Sequence, residues 1–312
     1  MIGLLGRGDD PCLERVRDAA DDRGIPHVLI DEDALSDASL RLDLGVDGVR
    51  GVLRTGAGVV DLDLLTGVYA RALGPAEPTG AAREVSALLH EWLDVTEVLV
   101  MGRPASMFSN SSKPHQARLI AAAGLAVPTT LVTNDPEAVR EFRSRHGRVV
   151  FKSISGIRSI VREVDDAALA RMDRIRDLPT QFQARVEGTD VRVHVVGESV
   201  FPTRIASTAL DYRYAARDGL ACDLEPWVLA PDVEQACISV ASALALPLAG
   251  IDLRVGDDGT VTCFEVNPMP AFSYYESNTG QPIAAAVAAF LDRPRTEAAR
   301  HTDDDDDESE VA

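Results

Sequence analysis

Two carboxylates and an amide near the carboxyl end of the chain have the spacing of a metal site. Segment 252–268 reads as two strands joined by an Asp-Gly dipeptide at 258–259, which favours a two-residue type I′ turn. With that turn, Asp252 lies opposite Glu265, and Asn267 lies diagonally beside Asp252 on the same face. Opposed carboxylates repel each other, and their oxygens suit Mg²⁺, so the pattern predicts a magnesium site rather than a merely solvated acidic hairpin.

Two lysines upstream are candidates for binding phosphate. Lys113 opens a predicted helix, where backbone N–H groups and the helix dipole favour anions. Lys152 ends a largely apolar strand and precedes a loop of small residues at 153–156, whose amides could cover phosphates. The alternative for Lys152 is an ammonium group that reaches past the strand into solvent.

A third group of polar residues occupies segment 183–195. Its valines at 191, 193 and 195 share one strand face and must belong to the core, so Arg192 and His194 share the other face. Arg192 could stabilise charge on a phosphoryl group in transfer, or it could form an ordinary surface ion pair. His194 is better interpreted as a structural or substrate-orienting group than as a base.

The elements that must position these residues follow a mixed α/β order. A strand at 1–5, a helix at 11–23 and a strand at 27–30 predict a small α/β domain at the start of the chain. Later strands alternate with helices at 113–124, 136–146, 232–246 and 280–291. Segment 207–226 is long and irregular, which is typical of a functional lid.

The composition and charge of the chain limit the classes of function that it could have. The chain has 312 residues, 46% of them hydrophobic, and a formal net charge of −19. A general role on nucleic acid is excluded, because phosphate backbones require clustered Lys and Arg, whereas a basic partner would be favoured. The four scattered cysteines and the absence of a signal-like or membrane-length apolar segment predict a cytoplasmic protein with reduced thiols.

The order of these motifs resembles that of the ATP-grasp carboxylate–amine ligases, most closely the RimK-like branch of ribosomal-protein glutamate ligases. The resemblance covers about residues 100–292 and includes Asn278-Thr279-Gly280 before the last helix. It implies an α/β (α+β) fold in which two subdomains enclose ATP. The expected division is a Rossmann-like pre-ATP-grasp domain at 1–104, an ATP-grasp domain at 105–293 with subdomains 105–186 and 187–293, and a disordered acidic tail at 294–312.

The resemblance also implies roles for individual residues. Lys113 and Lys152 would bind the α and β phosphates, the backbone of Gln183, Ala184, Arg185 and Val186 the adenine, and Glu187 or Asp190 the ribose. Asp252, Glu265 and Asn267 would hold Mg²⁺, with two ions expected and Mn²⁺ as a substitute. Arg192 would stabilise the transferring phosphoryl group.

One further motif resembles the graspetide (microviridin-type) ligases, which close ester or amide links in ribosomally made peptides. Asp211-Tyr212-Arg213 resembles their Asp-aromatic-Arg element, which implies that Asp211 and Arg213 are catalytic and that Arg213 binds the substrate carboxylate.

Several alternatives stay open at this point. One is a free-standing glutamate or amino-acid ligase that acts on a small molecule or a protein tail, and another is a small-molecule kinase. A third is an ATP-binding regulatory protein without turnover. The expected partners are an acidic peptide or small carboxylate with an amine or hydroxyl acceptor, a precursor peptide, and a second copy in a homodimer or homotetramer. No membrane partner is expected.

Overall fold

The computed structural model describes residues 1–46, 48–77, 80–153, 161–207 and 222–293. The first part of the chain contains β1 (Ile2–Gly6), α1 (Pro11–Asp22), β2 (His27–Asp31), β3 (Ser39–Gly45), β4 (Gly48–Thr55), β5 (Gly58–Asp61), β6 (Gly67–Arg71), α2 (Gly80–Val95) and β7 (Leu99–Met101). The middle part contains α3 (Pro104–Met107), α4 (Lys113–Ala122), β8 (Thr130–Thr133), α5 (Pro136–His146), β9 (Val149–Ser153), β10 (Arg162–Glu163), α6 (Asp166–Leu169) and β11 (Thr180–Ala184). The last part contains β12 (Thr189–Val196), β13 (Ser199–Ser207), β14 (Cys222–Pro226), α7 (Pro231–Ala243), β15 (Leu248–Val255), β16 (Val261–Asn267), α8 (Ser273–Thr279) and α9 (Ile283–Leu291).

The chain opens with the predicted strand–helix–strand unit. Parallel strands in the order β2-β1-β6-β7 form one sheet, and β3-β4-β5 form a small sheet beside it. Helix α1 begins at Pro11 because Asp10 caps it, accepting from the backbone amides of Cys12 and Leu13 at 2.9 and 3.1 Å. The Gly8 amide donates to the Asp31 carboxylate at 3.1 Å, which ties the glycine-containing turn to the neighbouring strand.

Two antiparallel sheets follow, and each buries one face. The sheet β10-β9-β11-β8 packs its outer face on α5, where Phe142, Val149 and Phe182 form a small core. The sheet β14-β13-β12-β15-β16 packs against α7 and α4. The prediction that the alternate valines of β12 belong to the core is confirmed, since Val191, Val193 and Val195 are each at most 1% exposed.

The first and last parts of the chain share a core. Leu4 and Leu13 from β1 and α1 belong to the same buried cluster as Phe272, Val287 and Leu291. A polar contact reinforces this packing at the junction. The buried Arg71 forms an ion pair with Asp10 at 2.8 Å, and its Nη1 donates to the carbonyl of Pro270 at 3.2 Å. The polar contact therefore ties the carboxyl end of β6 to the loop that follows β16.

The β15–β16 hairpin corrects one prediction. Its loop has three residues, 257–259, rather than two: the Gly256 amide bonds to Thr260 O, and Gly259 adopts φ 82°. Such loops place glycine in the left-handed conformation. This loop alone would shift the register by one residue, but a bulge between Asp252 and Leu253 in the pairing restores it. Asp252 therefore does face Glu265.

Helix α8 was not predicted, and the last helix begins later than predicted. The expected helix 280–291 starts at Ile283, because Gly280 adopts φ 70° and ends α8. In the described part of the chain, no helix combines the length and apolar character needed to cross a membrane. Three cysteines, Cys12, Cys237 and Cys263, are buried free thiols, as predicted.

Candidate active site

The opposed carboxylates on the β15–β16 hairpin each face a basic side chain from another element. Asp252 pairs with Arg192 of β12 at 2.7 Å, and Glu265 pairs with Lys113 at the start of α4 at 2.8 Å. Arg192 is directly opposite Asp252 in the β12–β15 ladder, so strand register sets the first pair. The structure therefore brings four of the predicted site residues together in a charge-balanced cluster.

The donor set at the hairpin fits a hard divalent cation. Asn267 pairs with Gly250, two residues before Asp252, and its Oδ1 accepts from the Met269 amide at 2.9 Å, which fixes the direction of the amide group. Among the described residues, no three His, Cys, Asp or Glu side chains form a metal-binding group. Two carboxylates and one amide therefore form a partial ligand set, of the kind that Mg²⁺ completes with phosphate oxygens and water.

Helix α4 is fixed to β16 by a glutamine that sequence reasoning missed. Gln116 is 2% exposed, its Nε2 donates to Val266 O at 2.8 Å, and its Oε1 accepts from Val266 N at 3.0 Å. The only signal in the sequence was its spacing, since Gln116 lies three residues after Lys113 on the same helix face. The two hydrogen bonds position Lys113 against Glu265.

A cavity of about 290 Å³ opens beside the cluster. Its lining includes Lys113 from α4, Gln181 and Gln183 from β11, and Phe264 from β16. Lys152 is directly opposite Gln181 in the β9–β11 ladder, so both side chains leave the sheet on the cavity side. Lys113 therefore lines the cavity, and Lys152 lies beside a lining residue on the same face of its sheet.

The backbone after β11 includes an amide, that of Val186, that remains available for a ligand. Ala184 and Arg185 donate to Thr129 O and Arg148 O, both at 2.9 Å, whereas the Val186 amide has no acceptor among the described residues. The carbonyl of Val186 accepts from Arg254 Nη1 at 2.8 Å. Of the four residues predicted to contact adenine, Val186 is the one with a usable donor.

The two acidic residues predicted for ribose are both held by arginines. Asp190 accepts from Nη2 and Nε of Arg254 at 2.6 and 2.8 Å, and Glu187 is an exposed residue paired with Arg148 and Arg185. The Asp190 pair fixes the start of β12 to β15. A ribose role remains a prediction for either residue, and Glu187 is the more accessible of the two.

His194 is completely buried beside the cluster. Its ring contacts Tyr275 of α8 edge-on, with the two ring centroids 4.8 Å apart, and neither ring nitrogen has a hydrogen-bond partner among the described residues. Burial lowers the pKa of His194 well below its ordinary value, and the charge of Arg192 lowers it further. The imidazole is therefore neutral, which agrees with a structural rather than a basic role.

Several predicted features lie outside the described residues. These are Asp211 and Arg213, most of the loop 153–156, the central part of the lid 207–226, and the tail 294–312.

Comparison with solved structures supports the fold. A peptide-associated ATP-grasp ligase from Chryseobacterium gregarium, solved with ADP and a leader and core peptide, superposes with a TM-score of 0.80 at 21% identity and covers 93% of this chain and 96% of its own. The ATP-grasp ligase PsnB, solved with a minimal precursor, superposes with a TM-score of 0.77 at 27% identity and covers 93% of this chain and 97% of its own. A further PsnB structure contains Mg and ADP.

Sequence comparison leads to the same class of proteins. A probable alpha-L-glutamate ligase from Cellvibrio japonicus is 26% identical over 208 residues, which span 64% of this chain and 66% of that ligase, just under two thirds of its length. The model of the RimK-like ATP-grasp domain matches residues 110–291. That segment contains both lysines, the predicted adenine-contacting residues 183–186, Arg192 and the acidic hairpin. It makes up more than half of the chain. The predicted ATP-grasp class is thus confirmed, and the chain belongs to the RimK-like ATP-grasp family.

Proposed function

We propose that this protein is an ATP-dependent ligase that joins a carboxylate to an amine or hydroxyl through an acyl phosphate. The observation that carries the proposal is the cluster at the β15–β16 hairpin. Asp252 and Glu265 are paired with Arg192 and Lys113 beside a cleft, and Lys152 lies opposite Gln181, which lines that cleft. Anionic and cationic groups at the mouth of one cleft are the parts that phosphoryl transfer requires.

The nucleotide would occupy the cleft between the two antiparallel sheets. The Val186 amide, which has no acceptor among the described residues, would pair with the adenine edge, and Phe264 would provide an apolar wall. Lys113 and Lys152 would contact the phosphates. Phosphate binding would draw Lys113 away from Glu265, so an ion pair within the protein would be replaced by one with the ligand.

Asp252, Glu265 and Asn267 would hold Mg²⁺, with two ions expected. The metal would neutralise charge on the phosphate oxygens during transfer. Arg192 would then lie beside the transferring phosphoryl group, where a buried guanidinium stabilises developing negative charge.

The reaction begins when a substrate carboxylate oxygen attacks the γ-phosphorus of ATP and ADP leaves. The amine or hydroxyl then attacks the acyl carbon, phosphate leaves, and the nucleophile loses one proton to solvent or to a carboxylate. Arg213 would orient the substrate carboxylate and Asp211 would support it. Closure of the predicted lid 207–226 would keep water from the acyl phosphate.

A ribosomally made peptide is the substrate that we favour, with a side-chain ester or amide as the product. The support is the likeness to PsnB, which is 27% identical and was solved with a minimal precursor. Glutamate ligation is the second candidate, because curated relatives are named as probable alpha-L-glutamate ligases.

The proposal is tested by ADP release from Mg-ATP with a panel of acidic peptides, free glutamate and common amines, followed by mass spectrometry of the products. Loss of water from a peptide supports the cyclising ligase, and addition of glutamate supports the second candidate. ADP formation with phosphate transferred to a small molecule, without a required acceptor, would identify a kinase and contradict the proposal.

Replacing the hairpin glutamate tests the metal assignment. Glu265→Gln keeps the size of the side chain but removes a charged ligand, so we expect the barrier to phosphoryl transfer to rise by several kcal/mol, on the order of a thousandfold loss of rate. The measurement is the rate of ADP release as a function of Mg²⁺ concentration. The control is Glu198→Gln, an exposed glutamate on the turn between β12 and β13. Turnover of Glu265→Gln at the level of this control would contradict the assignment.

A further inference from the structure

The Arg192 side chain occupies the space beside position 250, so only glycine fits there. On β15, Gly250 faces His194 of β12, the residue two positions after Arg192. A Cβ atom added at Gly250 would lie 2.0 Å from Arg192 Nη2 and 2.6 Å from its Cζ. The guanidinium therefore lies directly against the backbone of β15, in the space that a side chain at position 250 would fill.

Arg192 has little freedom to move aside. Its side chain is 7% exposed and is held by Asp252 at 2.7 Å. The ring of Tyr275 in α8 lies 5.8 Å from the Arg192 Cζ. A Cβ at Gly250 would also lie 2.7 Å from the Cβ of Pro270, in the loop that Arg71 holds. Backbone strain does not explain the glycine, since Gly250 is not among the residues with positive φ.

We propose that Gly250 is a positioning residue, whose missing side chain lets the Arg192 guanidinium lie flat against β15 and present its nitrogens at the phosphoryl-transfer site. The inference deepens the proposed function and rests on it for the role of Arg192. Any side chain at position 250 displaces the guanidinium from Asp252. Gly250 therefore acts on the reaction through Arg192 and touches no reacting atom itself.

The residue that follows the same strand provides a matched control. Gly256 ends the β15 side of the hairpin, and a Cβ there would meet the Asp258 carboxylate at 2.7 Å. Asp258 is exposed, and its displacement breaks only its hydrogen bond to the Thr260 amide, so we expect Gly256→Ala to leave Arg192 in place. Gly256→Ala and Gly250→Ala make the same chemical change, one just after β15 and the other within it.

The test is a double-mutant cycle on the full chain with Gly250→Ala and Arg192→Met. Methionine keeps the buried stem but lacks the guanidinium that meets the new Cβ. The first measurement is the urea midpoint of unfolding without nucleotide, which is independent of any enzymatic activity. We expect Gly250→Ala to lower the midpoint, and we expect more than half of that shift to disappear in the Arg192→Met background, with the remainder due to Pro270. An equal shift in both backgrounds overturns the proposal.

The second measurement is ADP release with the substrate that the panel identifies, together with the affinity for Mg-AMP-PNP. We expect Gly250→Ala to reduce kcat roughly 100-fold, because a displacement of about 1 Å is enough to misplace a catalytic group, with affinity for the nucleotide changed less than about threefold. Equal kcat for Gly250→Ala and Gly256→Ala would overturn the positioning role. If the wild-type protein itself releases no ADP, the proposed function fails, and the unfolding cycle still decides whether Gly250 positions Arg192.

Discussion

His194 is a buried imidazole near the acidic hairpin, and its ring nitrogens have no hydrogen-bond partner in the part of the chain that the structure describes. The residue is 0% exposed. An unpaired buried polar atom costs about 1–3 kcal/mol. Because burial lowers its pKa, the folded protein cannot take up the proton that the unfolded chain binds near pH 6.5. The stability of the native state should therefore fall as the pH drops below about 6.5.

Replacing this ring with an apolar one should remove that acid sensitivity. His194→Phe keeps the edge contact with Tyr275 but cannot bind a proton. We expect the urea midpoint of the wild type to fall more steeply than that of His194→Phe between about pH 8 and about pH 5. Comparing the two slopes separates protonation from any cost of the larger ring, which is the same at every pH. Identical slopes would show that His194 does not limit stability in acid.

The identity of the charged residues was the part of the candidate site that could best be predicted from the sequence. Strand alternation predicted that Asp252 faces Glu265 and that Arg192 lies on the strand face away from the core. In the structure, Asp252 is directly opposite both Glu265 and Arg192 in the sheet. The ion pair between Asp190 and Arg254 could not be predicted, because it depends on how two distant segments align. The need for glycine at position 250 could not be predicted either, because it depends on where the Arg192 side chain runs.

At the scale of elements, the contact between α4 and β16 holds Lys113, a predicted phosphate-binding residue, beside the strand that carries Glu265. β16 is the last strand of its sheet, so its outer backbone groups need partners. Gln116 supplies both a donor and an acceptor to Val266, and the amide of Cys263 bonds to Ala126 O. The edge strand is therefore covered by α4 and the segment that follows it.

Removing the amide of this glutamine should damage stability and nucleotide binding together. Gln116→Leu leaves a buried N–H and a buried C=O of Val266 without partners, so we expect a loss of about 2–5 kcal/mol in the free energy of unfolding. Because α4 would no longer be fixed, affinity for Mg-AMP-PNP should fall as well. Urea unfolding and calorimetric titration measure the two effects. The control is Gln235→Leu, the same substitution at an exposed position on α7. Unchanged nucleotide affinity in Gln116→Leu would mean that Lys113 is positioned by other contacts.

The hairpin shows why boundaries and turns are harder to predict than strand pairing. The expected two-residue turn is wrong, yet Asp252 faces Glu265, because the longer loop and the bulge compensate each other. Sequence alternation sets which residues must share a face, and the backbone adjusts locally to satisfy it. Helix α8 was missed because its sequence, 273–279, is short and lacks an apolar stripe.

At the scale of the whole molecule, the shared core makes the first and last parts of the chain depend on each other. Ile2, Leu4 and Leu13 pack in one cluster with Val287 and Leu291, which are more than 260 residues away in sequence. The boundary at 104–105 remains a prediction. The packing, however, predicts that the two sides unfold in one cooperative step.

Tryptophan fluorescence can test this cooperativity. The chain has two tryptophans, and Trp92 is fully buried in the first part. In a Trp227→Phe variant, Trp92 alone reports on the first part, while far-UV circular dichroism reports on all helices. We expect the two urea transitions to have the same midpoint. An earlier fluorescence transition would indicate that the first part unfolds independently of the antiparallel sheets.

The bond from Arg71 to the Pro270 carbonyl has a consequence for recombination between related ligases. Exchanging an N-terminal domain for that of a homologue would separate a guanidinium from the loop it holds, even if both halves were individually intact. A productive crossover must therefore carry Asp10, Arg71 and the loop after β16 from the same parent. Libraries of hybrid enzymes should show this as linked inheritance of segments that lie at opposite ends of the gene.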